Sequence, residues 1–381
     1  MTRDRRPRVV LAPDAFKGSY DPVQVADAWA HALADVARVD PRPISDGGEG
    51  FLAVLRHYRP DLLEARVRVP DPLGHSIDAA WAWDPGRRAV WIESAAAVGL
   101  KLVAPDQRRP LDADSAGLGR LLRTVGALGV RRLVIGLGGS ATVDGGLGMA
   151  RELGFRFEDG RRRPVRRPGD LRRLARIEPP ARSLEVAGRI AALADVDHPL
   201  LGPNGAAAAF GPQKGATPDE IERLEAGLAR LAERWVADLG APPALASARG
   251  SGAAGGLGGG LVAFLGARLT RGSAWGGRLA GLGRSLDRAD LVLTGEGRFD
   301  RGSLAGKGSG RVIQEARRRG LPVAVVCARA ESAAPPGTLV VDARDLPSRG
   351  PGAEDHPGEL SPDDLGRLAR HAFERLRKPV S

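Results

Sequence analysis

The stretch Leu133 to Met149, LVIGLGGSATVDGGLGM, narrows the folds open to this chain more than any other. A short apolar run, Leu133 to Leu137, reads as a buried strand. It breaks into Gly138-Gly139-Ser140-Ala141-Thr142, then Asp144-Gly145-Gly146, and a helix follows through Met149 to Leu153. A strand entering a helix through glycines belongs to an α/β protein whose backbone comes close to something at the turn. Successive N–H groups near a helix start attract anions. Ser140 and Thr142 add hydroxyl donors, and Asp144 adds a carboxylate able to hold a metal or take a proton. The same residues also make a plain tight turn in which Thr142 or Asp144 caps the helix. The stretch alone leaves both readings open.

The chain has 381 residues, 43% of them hydrophobic, enough for two domains with cores of their own. Cys327 is the only cysteine, so there is no internal disulfide and no cysteine zinc site, which fits a reducing, cytoplasmic setting. Thr2 to Arg8 is polar and basic and precedes a very short apolar strand, so no signal peptide is expected. The longest uncharged stretch, Gly250 to Ala267, carries eight glycines, too many for a membrane span. The formal charge of +11 raises the question of nucleic acid. The arginines are scattered, however, and their densest cluster, Arg161 to Arg167 with Arg172 and Arg173, lies in a Pro/Gly-rich loop. With two tyrosines in all, nothing interleaves aromatic rings with a basic groove. A solvated basic surface is expected, with no nucleic-acid and no membrane partner.

The lysines say more than the charge. There are five against 52 arginines, so the positions where lysine is kept draw attention. Lys17 in APDAFKGS, Lys214 in FGPQKGA and Lys307 in SLAGKGSG all stand beside glycine in loop-like segments, whereas Lys101 and Lys378 do not.

In chain order, Val9 to Ala12 is a short strand ending in Pro13-Asp14, with Lys17-Gly18-Ser19 next and a helix from Pro22 to Val36. An acid and a lysine after a first parallel strand stand where open α/β sheets place ligands. PISDGGEG, Pro43 to Gly50, sets Asp46 and Glu49 around Gly47 and Gly48, suited to magnesium or a substrate hydroxyl, and equally to a β-turn before the helix Phe51 to Tyr58. Ala65 to Val69, Ile77 to Trp83 and Ala89 to Ile92 alternate as an antiparallel meander that ends at Glu93, so a domain boundary is expected near residue 65. A helix opens at Ser115. Ile190 to Ala194 is a strand followed by Asp195 and Asp197, whose spacing puts both on one face. Thr217 caps a long helix to Leu239, and an apolar helix runs from Leu261 to Leu269. Asp290 to Asp300, DLVLTGEGRFD, is a buried strand and then a turn with Glu296 and Asp300. A helix from Gly310 to Arg319 and a strand from Pro322 to Cys327 follow. Residues 333–359 read as loop, and a helix over 362–376 closes the chain.

A P-loop fails, because Gly306-Lys307 is followed by Gly308 and no glycine stands five residues before Gly306. Gly136-x-Gly138-x-x-Ala141 is a weak dinucleotide match and keeps a nicotinamide-dependent oxidoreductase as an alternative. Of six histidines only His198 touches a motif, so a Ser-His-Asp triad and zinc chemistry have no candidates. Glycine turns, lysines and acids without histidine are what phosphoryl transfer uses: positioning, magnesium, charge neutralisation and one base.

These motifs resemble the bacterial glycerate kinase family, of the type that serves glycolate and galactarate breakdown in enteric bacteria. The matching stretches are APDAFKGS, SDGGEG, IESAAAVGL, GLGGSATVDGGLGM, ADVDHPLLGPNGAAAAFGPQKGA, GSGAAGGLGGGL and ADLVLTGEGRFD, in the family's order, from residue 12 to about 310. The resemblance implies transfer of the ATP γ-phosphate to D-glycerate, with magnesium, in a cleft between two α/β domains, and favours 2-phosphoglycerate over 3-phosphoglycerate. It implies a flavodoxin-like domain with a parallel sheet, residues 1–65 and 286–381, and a mixed-sheet domain inserted over 66–285. It implies a monomer or homodimer. The residues carried over are Lys17, Lys214, Asp195 and Asp197 as catalytic, the two aspartates also as magnesium ligands. Asp14, Ser19, Asp46, Gly47, Gly48, Glu49, Glu93, Gly138, Gly139, Ser140, Thr142, Asp144, Glu296, Asp300 and Lys307 are carried over as substrate- or phosphate-binding. The chain departs from the family pattern at Val143, where asparagine is usual, and at His198, Gly302 and Ala328. Those departures keep a second alternative, a kinase-like binder with altered catalysis.

Overall fold

The computed structural model describes residues 6–182, 189–304, 308–346 and 360–377. The chain opens with β1 (Arg8–Pro13), the helix Pro22–Leu33, β2 (Arg38–Pro41) and the helix Phe51–Tyr58. There follow β3 (Leu63–Pro70), β4 (Ser76–Asp84), β5 (Ala89–Glu93), β6 (Arg132–Gly136), β7 (Arg156–Asp159), β8 (Leu174–Glu178), β9 (Arg189–Leu193) and β10 (Arg268–Thr270). β11 (Leu291–Phe299), β12 (Val323–Ala330) and β13 (Thr338–Val341) precede the last helix, Pro362–Arg377. The contacts divide the chain into two compact units, 1–60 with 272–381, and 61–271.

In the first unit five strands lie in the order β2-β1-β11-β12-β13, all parallel. Counted along the unit's own chain this is 2-1-3-4-5, the flavodoxin-like order, whose switch point lies between β1 and β11. Alternate residues feed opposite faces, as the strand period requires. Val9, Leu11 and Leu293 pack with Trp29 and Leu368, while Val10, Ala12 and Val292 pack with Val312 and Ile313. A parallel sheet covered on both faces reads as an unbroken apolar run, which is what Val9 to Ala12 is. Asp21 caps the first helix by accepting from the Val23 and Gln24 N–H groups.

In the second unit six strands run β10-β9-β6-β5-β4-β3. β3, β4 and β5 form the expected antiparallel meander, and β5, β6, β9 and β10 are parallel neighbours. β7 and β8 make a separate antiparallel pair. Thr217 caps the helix Pro218–Leu239, with Glu220 returning its carboxylate to the Thr217 N–H.

Several elements differ from the sequence expectation. The apolar helix expected over 261–269 runs Leu257–Leu265; Gly266, at φ +63°, ends it, and 268–270 becomes β10 beside β9. β11 continues through Gly295 and Glu296 to Phe299 because β12 pairs with it as far as Phe299 and Ala330. Glu296 is therefore a strand residue, not a turn residue. Residues 338–341, expected in a loop, form the edge strand β13. Residues 272–285, placed by sequence in the inserted domain, belong to the first compact unit. There a Cβ on Gly272 would stand 1.6 Å from the Asp46 carbonyl oxygen and one on Gly276 2.2 Å from that of Ser45. Among the described residues no helix is long and apolar enough to cross a membrane.

The turn after β6 is held by Asp144, which is fully buried. Its Oδ2 accepts from the Ser115 N–H at 2.9 Å, the Ser115 hydroxyl at 2.6 Å and the Gly148 N–H at 2.9 Å; its Oδ1 accepts from Gly146 N–H at 3.0 Å. The Met149 N–H in turn donates to Ser115 Oγ at 2.9 Å. One carboxylate thus ties the start of the helix Ala116–Gly126 to the start of the helix Leu147–Glu152. Replacing Ser115 by Ala strands the Met149 N–H and one carboxylate lone pair in a dry site. We expect a loss of roughly 2–3 kcal/mol in urea unfolding; a loss below about 0.5 kcal/mol would show that the tie carries no stability.

Candidate functional site

In the first unit the chemistry gathers at the carboxyl ends of β1 and β11. The Asp14 N–H donates to the Gly295 carbonyl at 2.8 Å, which seats Asp14 at the switch point. Asp14 is 8% exposed, and its carboxylate accepts from the Ala15 N–H at 2.8 Å. Burial, then the charges of Asp46 and Glu296, push the Asp14 carboxyl well above its ordinary value, while Lys17 pulls it back. Asp46, above all, raises the Lys17 ammonium, with Asp14, Glu296 and Glu49 adding to it. Glu296 is raised by burial and partly relieved by the hydroxyls of Ser309 and Ser303. Asp46 accepts from Gly48 N–H at 2.8 Å and Ser45 Oγ accepts from Gly47 N–H at 3.1 Å, so PISDGGEG is a set of side-chain-to-backbone turns. Glu49 accepts from Gly18 N–H at 3.3 Å. Ser19 is exposed. Asp300 accepts from the Gly302 and Ser303 N–H groups and pairs with Arg298 at 3.4 Å; it caps the short helix Arg301–Leu304. Lys307 lies outside the described residues.

In the second unit the turn after β6 carries the polar groups. Lys214 is 3% exposed and donates to Ser140 Oγ at 3.0 Å and to the Thr142 carbonyl at 2.7 Å. Its Nζ stands 5.8 Å from the Phe210 ring centroid. Burial pushes its ammonium down to about 7, against a smaller pull from Asp144. Gly138 is half-buried, and Gly139 is exposed at φ +61°. Glu93 ends β5 opposite Gly136. Thr142 Oγ1 is buried with no hydrogen-bond partner among the described residues.

The two aspartates after β9 do not behave as a pair. The strand ends at Leu193, so strand alternation no longer governs residues 195–197. Asp195 is buried, at 5% exposure, whereas Asp197 is exposed and held by Arg271 at 2.8 Å. Among the described residues no group of three or more His, Cys, Asp or Glu side chains is arranged to hold a metal. Asp144, expected as a ligand group, spends both oxygens on four donors of its own fold. Sequence reasoning did not single out Ser309, bonded to Glu296, and named Ser115 only as the opening of a helix, not as a partner of Asp144. Ser115 had a faint signal in its place among small residues at a helix start; Ser309 had none beyond neighbouring glycines.

A carboxyl raised on folding holds its proton longer in the folded chain than in the unfolded one. Stability is then full below the ordinary value of 3.8 and is lost as pH rises from there through the folded value. An Asp14→Asn variant escapes that loss. Urea unfolding at pH 3.5 and pH 8 should therefore show the variant gaining on the wild type at the higher pH. An unchanged difference would mean that Asp14 ionises as easily folded as unfolded.

A model of the glycerate kinase family matches residues 9–338. The chain is 38% identical to a glycerate kinase of Halalkalibacterium halodurans over 84% of each chain. It is 35% identical to the glycerate 2-kinase of Escherichia coli K12 over 83% of this chain and 84% of that one. A Salmonella typhimurium LT2 protein assigned as glycerate kinase 2, solved by crystallography, superposes with a TM-score of 0.76 at 35% identity over 98% of both chains. With a parallel flavodoxin-like sheet, an inserted mixed sheet and a family match across most of its length, this chain belongs to the glycerate kinase family.

Proposed function

We propose that this protein transfers the γ-phosphoryl group of ATP, carried with magnesium, to D-glycerate, and that the product is 2-phosphoglycerate. A hydroxyl oxygen of glycerate forms the new P–O bond. The bond from γ-phosphorus to the β,γ-bridging oxygen breaks, ADP leaves with its electron pair, and the hydroxyl proton passes to a carboxylate. The observation that carries this reading is the placement of two lysines in an arginine-dominated chain. Lys17 follows β1 in a glycine turn, and Lys214 is bonded to the glycine turn after β6. Both turns lie at carboxyl ends of parallel strands, where open sheets bind ligands. Compact ammonium charges in such turns suit phosphate and carboxylate oxygens.

Within that reading Lys17 and Lys214 take oxyanions. Asp195, buried past β9, accepts the proton or meets the magnesium that arrives with the nucleotide, an ion that needs only one or two protein carboxylates. Asp197 serves through Arg271 rather than on the metal. Asp14, Asp46, Glu49 and Glu296 set the field around Lys17. Asp300 and Asp144 hold backbone. The 2-position is favoured by the family resemblance and by the similarity to the E. coli enzyme whose name specifies it.

Phosphorus NMR of the protein with ATP, magnesium and D-glycerate should show a new monoester signal with the one-proton coupling of a phosphate on a secondary carbon. A two-proton pattern would mean 3-phosphoglycerate. Unchanged ATP with folded protein and saturable ligand binding would select the binding-only alternative. Replacing Asp195 by Asn should lower kcat by about a hundredfold or more while thermal unfolding stays within a few degrees. Turnover within a factor of three of wild type would remove Asp195 from the chemistry.

A further inference from the structure

We propose that Lys214, Ser140 and Thr142 form an oxyanion site that takes up a proton as it fills. Above neutral pH the empty site holds Lys214 as the neutral amine. It becomes the ammonium when a carboxylate or phosphate oxygen enters.

The hydrogen-bond count points there first. A neutral amine has two N–H donors, and Lys214 has two acceptors, Ser140 Oγ at 3.0 Å and the Thr142 carbonyl at 2.7 Å. An ammonium has a third N–H, and among the described residues nothing accepts it. Ser140 accepts from Lys214, so its own hydroxyl hydrogen is left to give, and no described residue accepts that either. Thr142 Oγ1, fully buried, has no partner among the described residues. The empty site thus leaves the Ser140 and Thr142 hydroxyls for an anion, and a proton on Lys214 adds a third donor; buried donors without acceptors are costly unless something arrives to use them.

The charge count agrees. Asp144 is the one acidic group acting on Lys214, from the same glycine turn, and its two oxygens are already taken by four N–H and O–H donors. On the other side the Arg108 guanidinium donates to the Gln213 carbonyl at 2.9 Å, so the neighbouring loop brings no acid. The helix Ala206–Phe210 carries no charged residue, and His198 reaches it only by ring contact with Phe210. A buried ammonium in this setting lacks a counter-charge. The value of about 7 for Lys214 follows from that burial. An incoming oxyanion supplies the missing charge and raises it, so a proton is drawn from solvent on binding. Above the empty-site value the amine must take a proton from solvent for each anion bound, and affinity falls as pH rises.

The inference rests on the kinase reading only for the identity of the two candidate oxyanions. Titration calorimetry of wild type with D-glycerate, and separately with the non-hydrolysable ATP analogue AMP-PNP and magnesium, in two buffers of different ionisation enthalpy, reads the protons taken up. With a value of about 7, one ligand should bring in about 0.9 proton at pH 8 and about 0.1 at pH 6, and its Kd should weaken about tenfold between those pH values. Uptake with glycerate assigns the site to the carboxylate; uptake with the nucleotide assigns it to a phosphate. Lys214→Arg, always charged, should keep binding of that ligand and lose the proton uptake. Lys214→Met should lose the binding. No uptake with either ligand, or equal uptake in wild type and Lys214→Met, overturns the proposal. Phosphate transfer without proton uptake sinks the proposal and leaves the kinase. Proton-coupled binding without transfer does the reverse.

Discussion

Asp144 stands fully buried with four donors on its two oxygens, and the arrangement of the second unit follows from keeping that carboxylate satisfied. A charge without water needs hydrogen bonds to the limit of its lone pairs. Here the donors come from two helix starts, 116–126 and 147–152, so satisfying the charge locks the helices together. The glycines around it serve the same end. A Cβ on Gly255 would fall 1.8 Å from the Thr142 carbonyl oxygen and one on Gly260 2.3 Å from that of Gly145. The run GSGAAGGLGGGL is therefore spent on bringing the helix Leu257–Leu265 against the turn.

That packing places Lys214 where it has acceptors but no counter-charge. The first unit shows the opposite balance: one lysine, Lys17, among Asp14, Asp46, Glu49 and Glu296, with Asp14 raised by burial and by the charges of Asp46 and Glu296, and Glu296 raised by burial. The two units thus differ beside their glycine turns: acids gather around Lys17, whereas Lys214 is buried with one acid, Asp144, acting on it. Groups held in this unbalanced way are poised to exchange protons or to receive charged ligands, which is how active sites tune their chemistry.

Much of the fold was legible because its signals are local. The unbroken apolar runs at Val9 to Ala12 and Leu133 to Leu137 marked buried parallel strands, the alternation over 65–92 marked the meander, and Thr217 marked a helix start. What failed was set at a distance. Nothing near Arg268 announces a strand; β10 exists because β9 offers it an edge. Glu296 looked like a turn residue between two glycines, and only β12 alongside keeps it in a strand. Thr338 to Val341 sits among prolines and glycines and pairs because β12 is there.

Composition and spacing told which residue types were available: three lysines beside glycine in loop-like segments, carboxylates at strand ends, no histidine placed for catalysis, and motif order enough to point to a family. Those are properties of composition and spacing, written in the chain. What each group does was set by the packing around it. Asp144 and Asp300 are turned inward to hold backbone, Asp197 is drawn to Arg271, and Lys214 is buried against Ser140 and Thr142. A side chain's role depends on desolvation and on partners tens of residues away, such as Ser115 for Asp144 and Ser140 for Lys214, and spacing along the chain does not encode either.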